Sequence, residues 1–220
     1  MAKKIIQEQV VVTPPKLREL RFPIAGIAPY VQHKFSAKAK AMMRAKQEAG
    51  STGKKGKQRE AKDFDAAYKG AMHISEEGWH GIPASAFRAA MISACRLIGF
   101  RMTLAKLCVS VIADGFDADD NTPLVKITKG EPHYNELHVR LETGVADIRP
   151  RPMWNPGWEA VVRIMFDADQ FTPTDVTNLL ARVGLQVGIG EGRPDSKKSA
   201  GMGWGLFKIV GEAKEKEYAG

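Results

Sequence analysis

Seven of the chain's twenty-one glycines (Gly184, Gly188, Gly190, Gly192, Gly201, Gly203 and Gly205) fall in the 22 residues from 184 to 205. A flexible linker of that kind would be polar throughout, yet Val187, Ile189, Met202 and Trp204 are interleaved with these glycines. Glycine has no Cβ and enters positive φ at little steric cost. Glycines set among apolar residues therefore imply a backbone that takes left-handed turns and lets a neighbour come close. Arg193, Lys197 and Lys198 stand in the same segment. Open backbone N–H groups with a few cations suit a phosphate chain, since both donate to phosphate oxygens without reading base identity. A glycine-rich turn with surface lysines is the alternative.

Charge is as uneven as glycine. Residues 1–70 hold sixteen Lys and Arg against six Asp and Glu, a net of +10, whereas residues 71–220 hold seventeen against nineteen, a net of −2. Ten of the basic residues (Lys34, Lys38, Lys40, Arg44, Lys46, Lys54, Lys55, Lys57, Arg59 and Lys62) lie between Lys34 and Lys62, facing only Glu48 and Glu60. The core of that stretch, AGSTGKKGKQRE, buries nothing, so a basic arm, flexible over about 36–70, is expected, either merely solvated or closing over a polyanion. The overall +8 favours nucleic acid or a membrane surface over a neutral metabolite. No run reaches eighteen apolar residues, and Cys95 and Cys108 have no CxxC spacing. The expectation is one cytoplasmic domain over 1–220, without membrane contact, disulfides, metal or cofactor.

Hydrophobic spacing gives the elements. KIIQEQVVV and LRELRFPIAGIAPYVQHKF read as extended, and SAKAKAMMRAKQEA as a helix with Ala41, Met42 and Ala45 inward. PASAFRAAMISACRLIG is the clearest helix: Phe87, Ala90, Met91, Ala94, Cys95 and Ile98 share one face, and Pro83 opens it. LCVSVIADGF, PLVKITKG, ELHVRLE, VADIRPRPMW and WEAVVRIMF read as strands, the last with alternation weak enough to suggest both faces covered. TPTDVTNLLARVG reads as a helix with Thr172 or Thr174 as N-cap and Gly184 just past its end, and FKIV closes the chain. Strand, helix, strand, then strand, helix, strand, with a hairpin between the halves, is the β-α-β-β-α-β ferredoxin-like plan, an α+β class.

Catalytic signatures are absent: no GxxxxGK[ST], HExxH or GxSxG occurs, and the glycine segment fails GxGxxG because Arg193 and Leu206 take the third glycine position. Asp114, Asp117, Asp119 and Asp120 lack the EF-hand glycine and glutamate and read as a solvated turn. No histidine pairs with a recognisable nucleophile, and His138 reads as structural.

Two strings carry a resemblance. Ile82-Pro83-Ala84-Ser85-Ala86-Phe87-Arg88-Ala89-Ala90-Met91 is similar to the "I-P-G-S-S-hydrophobic-K-G-A-L" helix start of the RAMP superfamily, the repeat-associated proteins of CRISPR effector complexes. Gly188-Ile189-Gly190-Glu191-Gly192-Arg193 followed by Gly201-Met202-Gly203-Trp204-Gly205 resembles that superfamily's glycine-rich loop before the last strand. Ala84 stands in place of the glycine, Arg88 in place of the lysine, and RPDSKKSA lengthens the loop. The single unit with a basic insertion is more similar to the backbone subunits that polymerise along guide RNA than to the endoribonucleases, and also looks like compact stand-alone relatives from phage and mobile elements.

The resemblance implies a non-enzymatic, sequence-independent binder of RNA or single-stranded DNA, forming a homo-oligomer or filament, with other CRISPR-type subunits as further partners. Arg88 and the amides near Ser85 would hold phosphates at a helix start, Arg193, Lys197 and Lys198 would clamp from the glycine loop beside Gly190 and Gly203, and Lys34 to Lys62 would close over the strand. Trp204, Phe35 or His33 would stack on bases. Alternatives are a metal-independent endoribonuclease using His33 or His80 as general base, and an interaction module that interferes with a CRISPR-type complex.

Overall fold

A computed structural model describes residues 13–35, 41, 42, 45, 63–140, 146–196 and 201–217. The chain is an α+β protein built on a mostly antiparallel sheet. β1 (Leu17–Gly26) alternates Leu20, Phe22 and Ile24 into the core, each at 1% exposure or less. β9 (Glu159–Asp167) lies antiparallel beside it with Leu20 opposite Ile164, and sends Ala160, Val162, Ile164 and Phe166 to the same interior. Burying each of the larger side chains stabilises the fold by about 1.5–3 kcal/mol. The far face of β9 is only partly covered, Val161 being 38% exposed, so its alternation is clean and the expectation of two covered faces is corrected.

The outer edge of β9 is shared. Its C-terminal half pairs with β4 (Val109–Ile112), and its N-terminal half with β6 (Pro123–Lys129) across a register shift. β6 in turn pairs with β3 (Gly81–Pro83) and β5 (Gly115–Phe116). The outer edge of β1 is shared likewise by β10 (Phe207–Ile209) and β11 (Lys214–Glu217). A four-strand path β10-β1-β9-β4 results, every neighbour antiparallel. A second sheet of three strands joins β2 (Tyr30–Val31), β8 (Ala146–Trp154) and β7 (Pro132–Arg140).

Two helices contribute to the core that covers one face of the larger sheet. α2 (Ala84–Ala94) continues as a 3-10 turn over Cys95–Ile98; Phe87, Ala90, Met91, Ala94 and Cys95 are buried, and only Ile98 of the expected face is half exposed. α4 (Pro173–Arg182) starts in a capping box: Asp175 N donates to Thr172 Oγ1, and Thr172 N donates to the Asp175 carboxylate. Gly184 does not end this helix. The chain runs on through a π turn over Val183–Val187, and Gly184 is buried because any Cβ there would overlap the Phe207 carbonyl. Gly188, at φ +72, makes the stop.

Several expectations change. LCVSVIADGF begins inside a helix, α3 (Met102–Cys108), before β4 starts. The basic arm expected over 36–70 ends in another, α1 (Phe64–Lys69), capped by Asp63 and packed against β8, with its Tyr68 ring 5.3 Å from Tyr134 of β7. Ala41, Met42 and Ala45 are helical but exposed rather than inward. KIIQEQVVV lies outside the described residues.

Candidate functional site

The glycine segment folds onto β2. Gly205 N donates to Pro29 O at 2.7 Å, Glu191 N to Val31 O at 3.0 Å, and Ile189 N to Gly205 O at 3.1 Å. Gly188, Gly190, Gly192, Gly201, Gly203 and Gly205 all have positive φ. The close neighbours expected of them are mostly this chain's own atoms. A Cβ on Gly190 would meet Val31 O at 2.5 Å, one on Gly192 the Trp204 ring at 2.5 Å, and one on Gly205 the Ile189 backbone. A Cβ on Gly201 or Gly203 would meet no atom within 4 Å among the described residues.

Beside the segment, β2 runs out through His33 and Phe35 to the foot of the basic insertion. The His33 and Phe35 rings lie 5.6 Å apart, and Phe35 is 55% exposed. Glu191 Oε2 accepts from Arg151 Nε at 2.5 Å and sits 3.9 Å from His33 Nδ1. Arg149, two residues along β8 and on the same face, pairs with Asp147 at 3.1 Å. Burial, and then the positive charges of Arg151 and Arg149, hold the His33 pKa below the ordinary imidazole value against the opposing pull of Glu191. The partly exposed His33–Phe35 pair and the half-buried Arg149 thus lie beside the glycine loop, next to an Arg151 whose side chain is 7% exposed. Arg149 and Arg151 escape motif reading; the signal in sequence is their period-2 spacing in IRPRPMW, which places both on one strand face.

Other predicted residues are placed differently. Lys34 is not an exposed cation: its Nζ donates to Asp117 Oδ1 at 2.6 Å and Asp119 Oδ2 at 2.7 Å, and its side chain is 4% exposed. Asp117 is fully buried, so the acidic run is not simply a solvated turn. Its second oxygen contacts His73 Nδ1 at 2.8 Å, and its first also accepts from Asp119 N. Burial opposes both charges, but these hydrogen bonds outweigh it, raising the Lys34 pKa and lowering that of Asp117. His73 lies below the imidazole range because burial exceeds the pull of Asp117.

Arg88, expected to hold phosphate at the helix start, is turned to the end of α3. Its Nε donates to Val109 O at 3.1 Å and its Nη2 to Lys106 O, closing the C-terminal carbonyls of α3. Ser85 is exposed in the first turn of α2, which has no side-chain cap. Arg193 Nη1 donates to Gly190 O at 2.9 Å and so closes its own turn. Trp204 is half buried over Gly192. His80 lies edge-on to Trp154 at 5.7 Å, and its buried Nδ1 has no hydrogen-bond partner among the described residues. Lys38, Lys40, Arg44, Lys54, Lys55, Lys57, Arg59, Lys197 and Lys198 lie outside the described residues. Among the described residues no group of three or more His, Cys, Asp or Glu is placed to hold a metal ion, and no helix is long and apolar enough to cross a membrane.

No family model matches the chain, and no curated protein matches it.

Proposed function

We propose that this protein is a non-enzymatic, sequence-independent binder of single-stranded nucleic acid, RNA foremost, built on a ferredoxin-like core of the RAMP backbone type. The observation that carries the reading is the cluster of exposed Phe35 and His33, half-buried Arg149 and buried Arg151 beside the glycine loop, at the foot of an insertion whose sequence is strongly basic. Bases stack on aromatic faces for about 1–3 kcal/mol each, and guanidiniums take phosphate oxygens in a bidentate fork. The order β10-β1-β9-β4 with helices α2 and α4 on one face is what a β-α-β-β-α-β plan would give, which supports the family resemblance. Lys34, Arg88 and Arg193 hold the fold together in this revised picture, and the ligand contacts move to Phe35, His33, Arg149 and Arg151. Assembly side by side along the ligand, alone or with other CRISPR-type subunits, belongs to the same proposal.

Anisotropy titration of labelled random-sequence RNA and single-stranded DNA over a salt series tests it. About five neutralised phosphates give a log–log slope near −3.5 at about −0.7 per contact. Light scattering of the same mixtures reads assembly. Absence of binding at low salt, or a flat salt response, overturns the proposal, and shortening of the RNA replaces it with the ribonuclease reading.

A further inference from the structure

Glu191 stands between Gly190 and Gly192, at φ +78 and +75, and neither glycine has room for a Cβ. The turn is pinned from three sides: Glu191 N to Val31 O at 3.0 Å, Trp204 N to Gly192 O at 3.3 Å, and Arg193 Nη1 to Gly190 O at 2.9 Å. Such a turn presents one side chain in one direction, and that side chain is a carboxylate. It lands on Arg151, whose side chain is 7% exposed and whose Nη1 is held by Pro150 O at 3.0 Å. His33 Nδ1 lies 3.9 Å from the same oxygen, Arg149 is close enough for its charge to act on His33, and His33 leaves the cluster open to solvent with 40% of its side chain exposed.

A carboxylate and a phosphate are alternative partners for one guanidinium fork, and a charge-assisted bond of this kind is about twice as strong as a neutral one. We propose that Glu191 is a built-in competitor: it fills an anion site formed by Arg151, Arg149 and His33, and a phosphodiester of the ligand takes that site by displacing it. The nature of the ligand rests on the nucleic-acid reading above, whereas the anion site itself does not. With Glu191 in place the two arginines are already neutralised by Asp147 and Glu191, so the site rejects weakly held anions and admits a phosphate only when neighbouring contacts, such as stacking on Phe35, come with it.

Glu191→Gln tests this. It keeps the shape of the turn but leaves Arg151 buried without a counter-charge, so the variant melts lower than wild type in chloride buffer. Inorganic phosphate or pyrophosphate, at matched ionic strength, is expected to raise the melting temperature of Glu191→Gln more than that of wild type, and RNA affinity is expected to rise about fivefold or more, roughly 1 kcal/mol. Adding Arg149→Ala is expected to cancel part of both gains. A lowered melting temperature that no phosphate restores, with RNA affinity unchanged or weaker, makes Glu191 a structural pin and overturns the inference. If phosphate restores the variant while no form of the protein binds RNA, the anion site stands and the nucleic-acid reading falls. Should Glu191→Gln not fold, Glu191→Asp keeps the charge and shortens its reach, and a gain in RNA affinity over wild type sustains the competitor role, whereas no gain refutes it.

Discussion

Lys34 and Asp117 meet 2.6 Å apart with both side chains out of solvent, and the other oxygen of Asp117 holds His73 at 2.8 Å. Lys34 lies just before the basic insertion and His73 just after it. One carboxylate, 83 residues from Lys34 in sequence, therefore ties together the segments that flank the insertion. Gln32 reinforces the tie, accepting from His73 N at 3.0 Å and donating to Gly81 O at 2.5 Å.

Breaking that node from one side is expected to be costly. Lys34→Met or Asp117→Asn leaves a buried charge or acceptor uncompensated, at about 3–5 kcal/mol. The double variant Lys34→Met/Asp117→Asn is expected to lose less than the two single losses added together. Urea denaturation of the four proteins measures the coupling, and strict additivity would show that the pair is not a unit.

Two acid steps in stability follow from the shifted groups. His73 and His33 are held below the ordinary imidazole value, burial being the first cause in each. Groups with a depressed folded pKa contribute stability that is complete above the unfolded value, about 6.5, and is lost as pH falls through the folded one. Asp117 repeats this below about pH 4, whereas Lys34, shifted upward, loses its contribution only above about pH 10.4. Melting temperature is expected to fall between pH 7.5 and 5.5 and again below 4, with His33→Gln/His73→Gln flattening the first step. A flat wild-type profile across pH 7.5–5.5 would show that the histidines are not held neutral.

Glycines in the loop are expected to separate by space rather than by φ. Gly203 and Gly205 have nearly the same φ, +73 and +70, so alanine meets about 1–2 kcal/mol of left-handed strain at either. A Cβ on Gly203 would meet no atom of the described residues within 4 Å, but the Ile189 backbone occupies the place a Cβ on Gly205 would take. Gly203→Ala is expected to fold with only that loss, and Gly205→Ala to lose about 3 kcal/mol or more. Equal thermal melts would show that the loop yields freely.

Arg88→Ala and Phe35→Ala are expected to move opposite observables. The first removes two hydrogen bonds to the end of α3 and is expected to destabilise by about 1–3 kcal/mol with RNA affinity unchanged. The second removes a half-exposed ring and is expected to weaken RNA binding about tenfold, roughly one stacked base, with little change in melting. Lost affinity in Arg88→Ala at full occupancy of the fold would return Arg88 to the binding surface.

Apolar periodicity carried most of the fold. Phe87, Ala90, Met91, Ala94 and Cys95 repeat at helical spacing, Thr172 precedes Asp175 at capping-box spacing, and WEAVVRIMF sits where a strand was expected. Burial of charge was not legible, because whether Lys34 points to water or to a carboxylate depends on a loop 83 residues away. The hydrogen bonds of Arg88 were not legible for a related reason: α3, whose carbonyls it closes, is seven residues long and too short for periodicity to stand out. The glycine segment was recognised as ordered, but its φ values say nothing of which neighbour fills the space, and that neighbour is mostly the chain itself.

Gly26 ends β1 directly beneath the Trp158 indole, whose Nε1 donates to Ala28 O at 3.0 Å, and a Cβ on Gly26 would fall within the indole ring itself. The two positions therefore form one volume divided between them. In descendants of this fold they are expected to drift together: alanine at 26 becomes admissible only when 158 shrinks to a smaller apolar residue, and the Trp158→Leu/Gly26→Ala pair is expected to be better tolerated than Gly26→Ala alone. This linked exchange gives distant relatives a two-site fingerprint that survives the loss of either residue's identity.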